Sequence, residues 1–269
     1  MNNKNKVKQD WRNVLSRIAG KFANMKKPQF LIKFAINRWC KHYKINISDY
    51  QIPNNGFCNF NEFFTRKIKE NIRPIGNKIT SPVDGYIYDF GLVNHKNKIF
   101  VKEKYYSTKD LIFNDFENFK SHCVLYLSPA NYHRVHSCFD MQINKVTYLA
   151  GTLFSVKERV VKKKDNVYCR NERIAIFGNS EYGKFCLILV GALMVGKVKL
   201  SFQCDLETNI KNANHIEMIF DEPVSISKGQ ELGYFEMGST VVLLLENENL
   251  NNISKSKNEA IRMGESLLD

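Results

Sequence analysis

The sequence predicts an α+β fold: a mainly antiparallel β body of short strands, preceded by basic amphipathic helices. Three observations predict it. From residue 80 to residue 245, stretches rich in Ile, Val, Tyr and Phe recur between glycine-containing turns, the signature of short strands. Before residue 45, apolar residues fall instead at helical spacing. The charge is also lopsided: the chain carries +13, and residues 1–44 hold twelve Lys and Arg against one acid, Asp10.

The first helix rests on Trp11, Leu15, Ile18, Phe22 and Met25, a single stripe with Arg12, Arg17 and Lys21 on other faces. Pro28 opens a second, which carries Phe30, Leu31, Phe34, Ala35 and Trp39 among Lys33, Arg38 and Lys41. Such helices can lie on a membrane, apolar face in the acyl boundary and cations on lipid phosphates. They can equally pack on the body with solvated basic faces. Residues 60–70 form a further short helix. Strands are expected over 86–93, 98–106, 123–128, 142–149, 173–178, 184–199, 215–220 and 240–245, with a short helix near 107–116. Residues 246–258 read as a solvated loop, and Ala260 to Leu268 as a final strand or frayed helix. The chain thus divides into residues 1–56 and a β-rich part, 57–269.

Several classes are excluded. Of 269 residues 43% are hydrophobic, enough for a sizeable core and too many for a disordered chain. No apolar run follows the basic start, so no signal peptide is expected. The longest apolar stretch, Cys186 to Gly196, is too short to span a bilayer as a helix. Seven cysteines without a Cys-x-x-Cys pair read as reduced thiols, and no ligand spacing supports a metal site. The basic end suits a polyanion, but no base-reading motif follows it, so nucleic acid is not expected as a partner.

Three segments carry candidate chemistry. Ser81-Pro-Val-Asp-Gly85 makes a turn before a strand. Tyr132-His133-Arg134-Val135-His136 follows an apolar strand; its histidines share a face only if the backbone is helical. Gly238-Ser239-Thr240 leads directly into Val241-Val-Leu-Leu-Leu245, which keeps its hydroxyls near the core. A serine attacks a carbonyl at neutral pH with help from a histidine that a carboxylate orients, and Asp84, His136 and Ser239 are the residues to supply such a set. Spacing alone leaves this arrangement and ordinary turn roles both open.

Together these segments resemble the phosphatidylserine decarboxylases. Phe60-Asn-Glu-Phe-Phe-Thr-Arg66 with Arg73-Pro74, Ser81 to Gly85, Tyr126 to His136, Gly151 to Val156, Asn171-Glu-Arg173, Val190 to Gly196 and Lys228 to Thr240 follow the family's order, so the similarity spans residues 57–245. Cys138 stands where the family usually has Pro, Met237 where Leu is frequent, and Lys197 where a small polar residue is common.

The resemblance implies a proenzyme. Ser239 Oγ would attack the Gly238 carbonyl, turning the amide into an ester. Elimination and hydrolysis would release ammonia and leave a pyruvoyl group on residues 239–269, paired with residues 1–238 as a heterodimer. His136 would be the base and Asp84 its orienting carboxylate. The pyruvoyl carbonyl would form a Schiff base with phosphatidylserine and draw off electrons as carbon dioxide leaves. His133 would return the proton, giving phosphatidylethanolamine, and Val190, Gly191 and Ala192 would line the pocket. The resemblance also implies a peripheral protein on the cytoplasmic face of the cell membrane, bound to anionic lipid through residues 1–56, and a higher homo-oligomer. A pyruvoyl decarboxylase of another amino-acid headgroup and an unprocessed basic membrane-binding protein are the alternatives.

Overall fold

The computed structural model describes residues 9–113, 118–194, 197–202, 206, 208–236 and 239–268. At its start lie α1 (Trp11–Ala23), α2 (Gln29–Tyr43) and α3 (Phe60–Phe64). The strands begin with β1 (Gly85–Leu92) and the hairpin of β2 (Lys98–Val101) and β3 (Lys104–Ser107). After α4 (Thr108–Ile112) come β4 (Ser121–Leu127), β5 (Arg134–His136) and β6 (Met141–Leu149). Two short helices, α5 (Glu158–Lys163) and α6 (Val167–Arg170), precede β7 (Arg173–Ser180), β8 (Gly183–Gly191) and β9 (Val198–Leu200). The chain closes with β10 (Ile216–Ile226), β11 (Glu231–Phe235), β12 (Ser239–Leu245) and β13 (Ala260–Ile261).

Eight strands form one antiparallel sheet in the order β10-β6-β7-β8-β12-β4-β1-β13. β12 lies inside it, between β8 and β4, and every one of its residues is buried. Its unbroken apolar run follows from cover on both faces. Val241, Leu243 and Leu245 pack with Val135, Val198, Leu232 and Phe235 of a second sheet, β5-β11-β9. Val242 and Leu244 pack oppositely with Ile99, Tyr106, Leu111 and Tyr168, from the hairpin and the small helices. The body is therefore antiparallel β with few helices, as predicted.

Local departures have local causes. The single strand expected over 98–106 is a hairpin, because Lys102 and Glu103 take left-handed backbone angles. The run expected over 184–199 ends at Gly191 and resumes as β9. The strand β11 was not expected, since Gly233 interrupts its apolar pattern; a side chain there would collide with the Lys199 carbonyl of β9. The helix expected over 60–70 is one turn and a half, and that near 107–116 is reduced to α4, with 114–117 outside the described residues.

The first two helices attach in an unusual way. The capping box of Asp10 and Asn13 starts α1. Asn13 also donates to the Gly151 carbonyl (3.0 Å), and the Met194 amide donates to Ser16 Oγ (3.0 Å). Asn13 and Ser16 are both fully buried, whereas Trp11 is 61% and Phe22 66% exposed. The small polar face of α1 thus docks on the body and its apolar stripe faces outward. α2 is seated by Ile32 and Ile36 against Phe57 and Phe63, and leaves Phe30, Leu31 and Phe34 exposed. No helix among the described residues is long and apolar enough to cross a membrane.

Candidate active site

Ser239 is the first residue of β12, opposite Leu127 on β4 and Gly191 on β8. Alternation puts it on the face of Val241, toward the second sheet. It is fully buried, and among the described residues its Oγ has no hydrogen-bond partner. An unpartnered buried hydroxyl is costly. Ser239 opens on a cavity of about 300 Å³ walled by Trp39, Phe64, Tyr126, Val156, Ala192 and Met194. Lys157 contributes the one charged side chain among its described lining residues. Gly238 and Met237 lie outside the described residues.

Both histidines come from the segment around β5. The Nδ1 of His136 faces the Gly229 carbonyl at 2.8 Å, so that nitrogen carries the proton, since a carbonyl only accepts. The bare Nε2 of the neutral ring accepts from the Tyr132 hydroxyl at 2.9 Å. Burial pushes the His136 imidazole below its ordinary value, against the Gly229 bond and the negative charges of Glu231 and Asp84. His133 is fully buried; its Nδ1 donates to the Asn131 carbonyl (2.8 Å), and among the described residues its Nε2 has no partner. Burial pushes this imidazole down to about 3, with Arg66 adding to the fall. His133 is thus neutral at pH 7, with one bare lone pair. Phe64, a wall of the Ser239 cavity, packs on its ring at a 44° tilt with 4.2 Å between centroids. The residues between the histidines form a strand, so the helical arrangement that would put them on one face is not adopted.

Asp84 ends the turn before β1, where a side chain on Gly85 would strike the Tyr126 carbonyl. Its Oδ2 accepts from Arg73 (3.1 Å) and its Oδ1 from the Met263 amide (2.8 Å). Burial raises the carboxyl above its ordinary value, and Arg73 opposes this most. The His136 amide donates to the Pro82 carbonyl (2.8 Å), so β5 lies directly on the Asp84 turn. Among the described residues, Asp84 and His136 share no hydrogen bond; each is engaged by other groups.

The candidate lining residues separate. Ala192 walls the cavity and Gly191 sits beside Ser239, while the Val190 side chain belongs to the core behind the sheet. Asn171, quoted above without a role, clamps this wall: it accepts from the Phe154 amide (2.9 Å) and donates to the carbonyls of Phe154 (2.8 Å) and Gly191 (2.9 Å). Of the departures, Cys138 is buried in the core, and the Lys197 carbonyl accepts from the Glu236 amide (2.9 Å). Tyr132 and Arg73 are contributors that sequence reasoning missed. Both stand inside quoted motifs, but nothing local says which distant atom each would meet.

The model of the family described as phosphatidylserine decarboxylase matches residues 60–269. The chain belongs to this family. A phosphatidylserine decarboxylase proenzyme of Campylobacter jejuni is 34% identical over 266 residues, covering 94% of this chain and 97% of its own. One from Legionella pneumophila is 35% identical over 243 residues, covering 87% and 84%. One from Francisella philomiragia is 32% identical over 261 residues, covering 94% and 92%. The family's match begins at α3, so the site residues from Arg66 to Ser239 all fall within it.

Proposed function

We propose that the chain is a phosphatidylserine decarboxylase proenzyme that cuts itself between Gly238 and Ser239. The observation that carries this reading is the Ser239 hydroxyl: buried, without a partner among the described residues, and at the head of a central strand beside a mainly apolar cavity. Family membership and the proenzyme names of the relatives support it. Ser239 Oγ attacks the Gly238 carbonyl and passes its proton to His136, whose Nδ1–H is held by Gly229 and whose imidazolium Asp84 stabilises. To act, His136 Nε2 must release the Tyr132 hydroxyl. The strand position of Ser239 also keeps residues 239–269 bound after the cut, since β12 stays hydrogen-bonded on both sides.

The residues fit a pyruvoyl group, because that group is made from Ser239 in place and needs only its unpartnered buried position. Such a group supplies an electron-withdrawing carbonyl that holds the substrate amine and takes up electrons as carbon dioxide leaves. Lys157 is suited to the lipid phosphate. His133 is neutral at rest. Negative charge entering the cavity raises its affinity for a proton, which it then returns to the substrate carbon. The outward apolar face of α1 and α2 suits a peripheral protein on the cytoplasmic face of an anionic membrane.

Denaturing mass spectrometry tests the first step. Residues 239–269 should run as a separate fragment with a pyruvoyl start, and Ser239→Ala should remain intact; an uncut wild-type chain after long incubation overturns the reading. His136→Asn should block cutting, while His133→Asn should cut and then release carbon dioxide from phosphatidylserine at least a hundredfold more slowly. The reverse pattern would exchange their roles. Release from free serine at the same rate would reject a lipid substrate.

A further inference from the structure

We propose that Arg73 is a positioning residue for self-cleavage, holding the Asp84 carboxylate ionised and in place beside His136. The inference rests on the self-cleavage reading above and goes beyond the Asp84, His136 and Ser239 set. Arg73 Nη2 donates to Asp84 Oδ2 at 3.1 Å, and both side chains are more than nine-tenths buried. A buried carboxylate without its cation takes up a proton rather than remain charged. A protonated Asp84 cannot stabilise an imidazolium, so the pair's charge state decides whether His136 can accept the serine proton.

The segment that carries Arg73 also reaches the other side of the pair. Ile75 packs on Gly229, where an added Cβ would lie 2.9 Å from its Cδ1. Gly229 has a left-handed φ of +78°, and its carbonyl holds His136 Nδ1. The Gly76 amide then donates to the Gly264 carbonyl (2.8 Å), and Lys228 donates to the Gly76 carbonyl (2.7 Å). Residues 73–76 therefore brace Asp84 through Arg73 and the His136 partner through Ile75. They are tied on one side to the C-terminal strand region and on the other to the turn before β11. A second cation, Arg262, acts on Asp84 from the C-terminal segment. His136 and Tyr132 are the titratable groups nearest on the β5 side, and Lys44 and Asp49 share the cavity of about 280 Å³ that Arg73 and Asp84 line.

The test follows self-cleavage of the newly synthesised full chain on denaturing gels between pH 5.5 and pH 9. Arg73→Met should slow cutting at least tenfold at neutral pH and move the acid limb of the rate profile upward by about one to three pH units, the range an adjacent arginine moves an aspartate. The sign follows from charge: losing the cation raises the Asp84 pKa, so the carboxylate is lost at higher pH. Arg73→Lys should recover most of the rate and the limb, and Arg262→Met should move the limb less. In an Asp84→Asn background, Arg73→Met should add little further loss. A uniform slowing with the limb unmoved, or no recovery by lysine, overturns the proposal in favour of a structural role. If Asp84→Asn cuts like wild type, the self-cleavage set itself fails. If Asp84→Asn is slow and Arg73→Met is normal, the Arg73 inference alone fails.

Discussion

Two regions of this molecule bury opposite kinds of residue. β12 hides Val241 to Leu245 completely, while α1 hides Asn13 and Ser16 and exposes Trp11, Ile18 and Phe22. The difference is one of solvent. β12 meets protein on both faces, so apolar side chains are the ones that gain by burial. α1 meets the body through carbonyl and amide groups that need hydrogen bonds, and turns its apolar stripe away from them. The exposed face of α2 adds Phe30, Leu31 and Phe34 to the exposed apolar residues of α1, and the proposed membrane contact rests on both helices. The candidate active site lies where these two regions meet: Met194, held by Ser16, walls the Ser239 cavity with Trp39 of α2.

Breaking the outward face should have the largest effect. Replacing Trp11, Phe22, Phe30 and Phe34 together by serine should weaken flotation with anionic vesicles by about a thousandfold or more, since each buried aromatic contributes roughly 1.5–3 kcal/mol. Self-cleavage in solution should stay within a factor of about two. Unchanged flotation would mean the face serves a protein partner.

The inward strand answers differently. Leu243→Ala should cost about 2–5 kcal/mol in denaturant unfolding, because the sheet cannot close a cavity in its own middle. Phe22→Ser should change stability by no more than about 0.5 kcal/mol, as expected for a side chain in solvent. Equal losses would erase the contrast.

The seam between the regions should respond to pH. Glu172 is buried, accepts from the Tyr148 hydroxyl (2.6 Å), and burial raises its carboxyl to about 7, with Tyr148, Asn209 and Arg17 pulling the other way. The folded state therefore favours the protonated form. Its stabilising effect is complete below the ordinary value of 4.5 and is lost as pH rises through about 7. Glu172→Gln should flatten the fall in stability between pH 5 and pH 8, a difference of up to about 3 kcal/mol. A parallel pH profile for the variant would reject this. A local effect should come from Asn13→Ala, about 1–2 kcal/mol from a lost cap and an unpaired Gly151 carbonyl, read as earlier proteolysis near residue 23.

Much of the site was legible without coordinates because its motifs are local. Ser239 leading into an apolar run foretold a hydroxyl at the head of a buried strand. The Pro and Gly around Asp84 foretold a turn. The partners of these groups were not legible, because they come from elsewhere in the chain: Arg73 and Met263 for Asp84, Gly229 for His136 Nδ1. Tyr132 is close in sequence to His136, yet nothing in the local sequence says that its hydroxyl meets Nε2.

By itself, then, the sequence determined the α+β class, the helical stripe before residue 45, the buried strand at 241–245 and the residue types of the candidate site. Periodicity and turn chemistry are local properties, and local spacing is enough to specify them. Only the tertiary structure decided which way the stripe on α1 faces, which of the two imidazoles has a nitrogen without a partner among the described residues, and that Arg73 rather than His136 holds Asp84. A periodic pattern defines a face but not the medium it meets, and a hydrogen bond between distant segments depends on where the whole chain brings them.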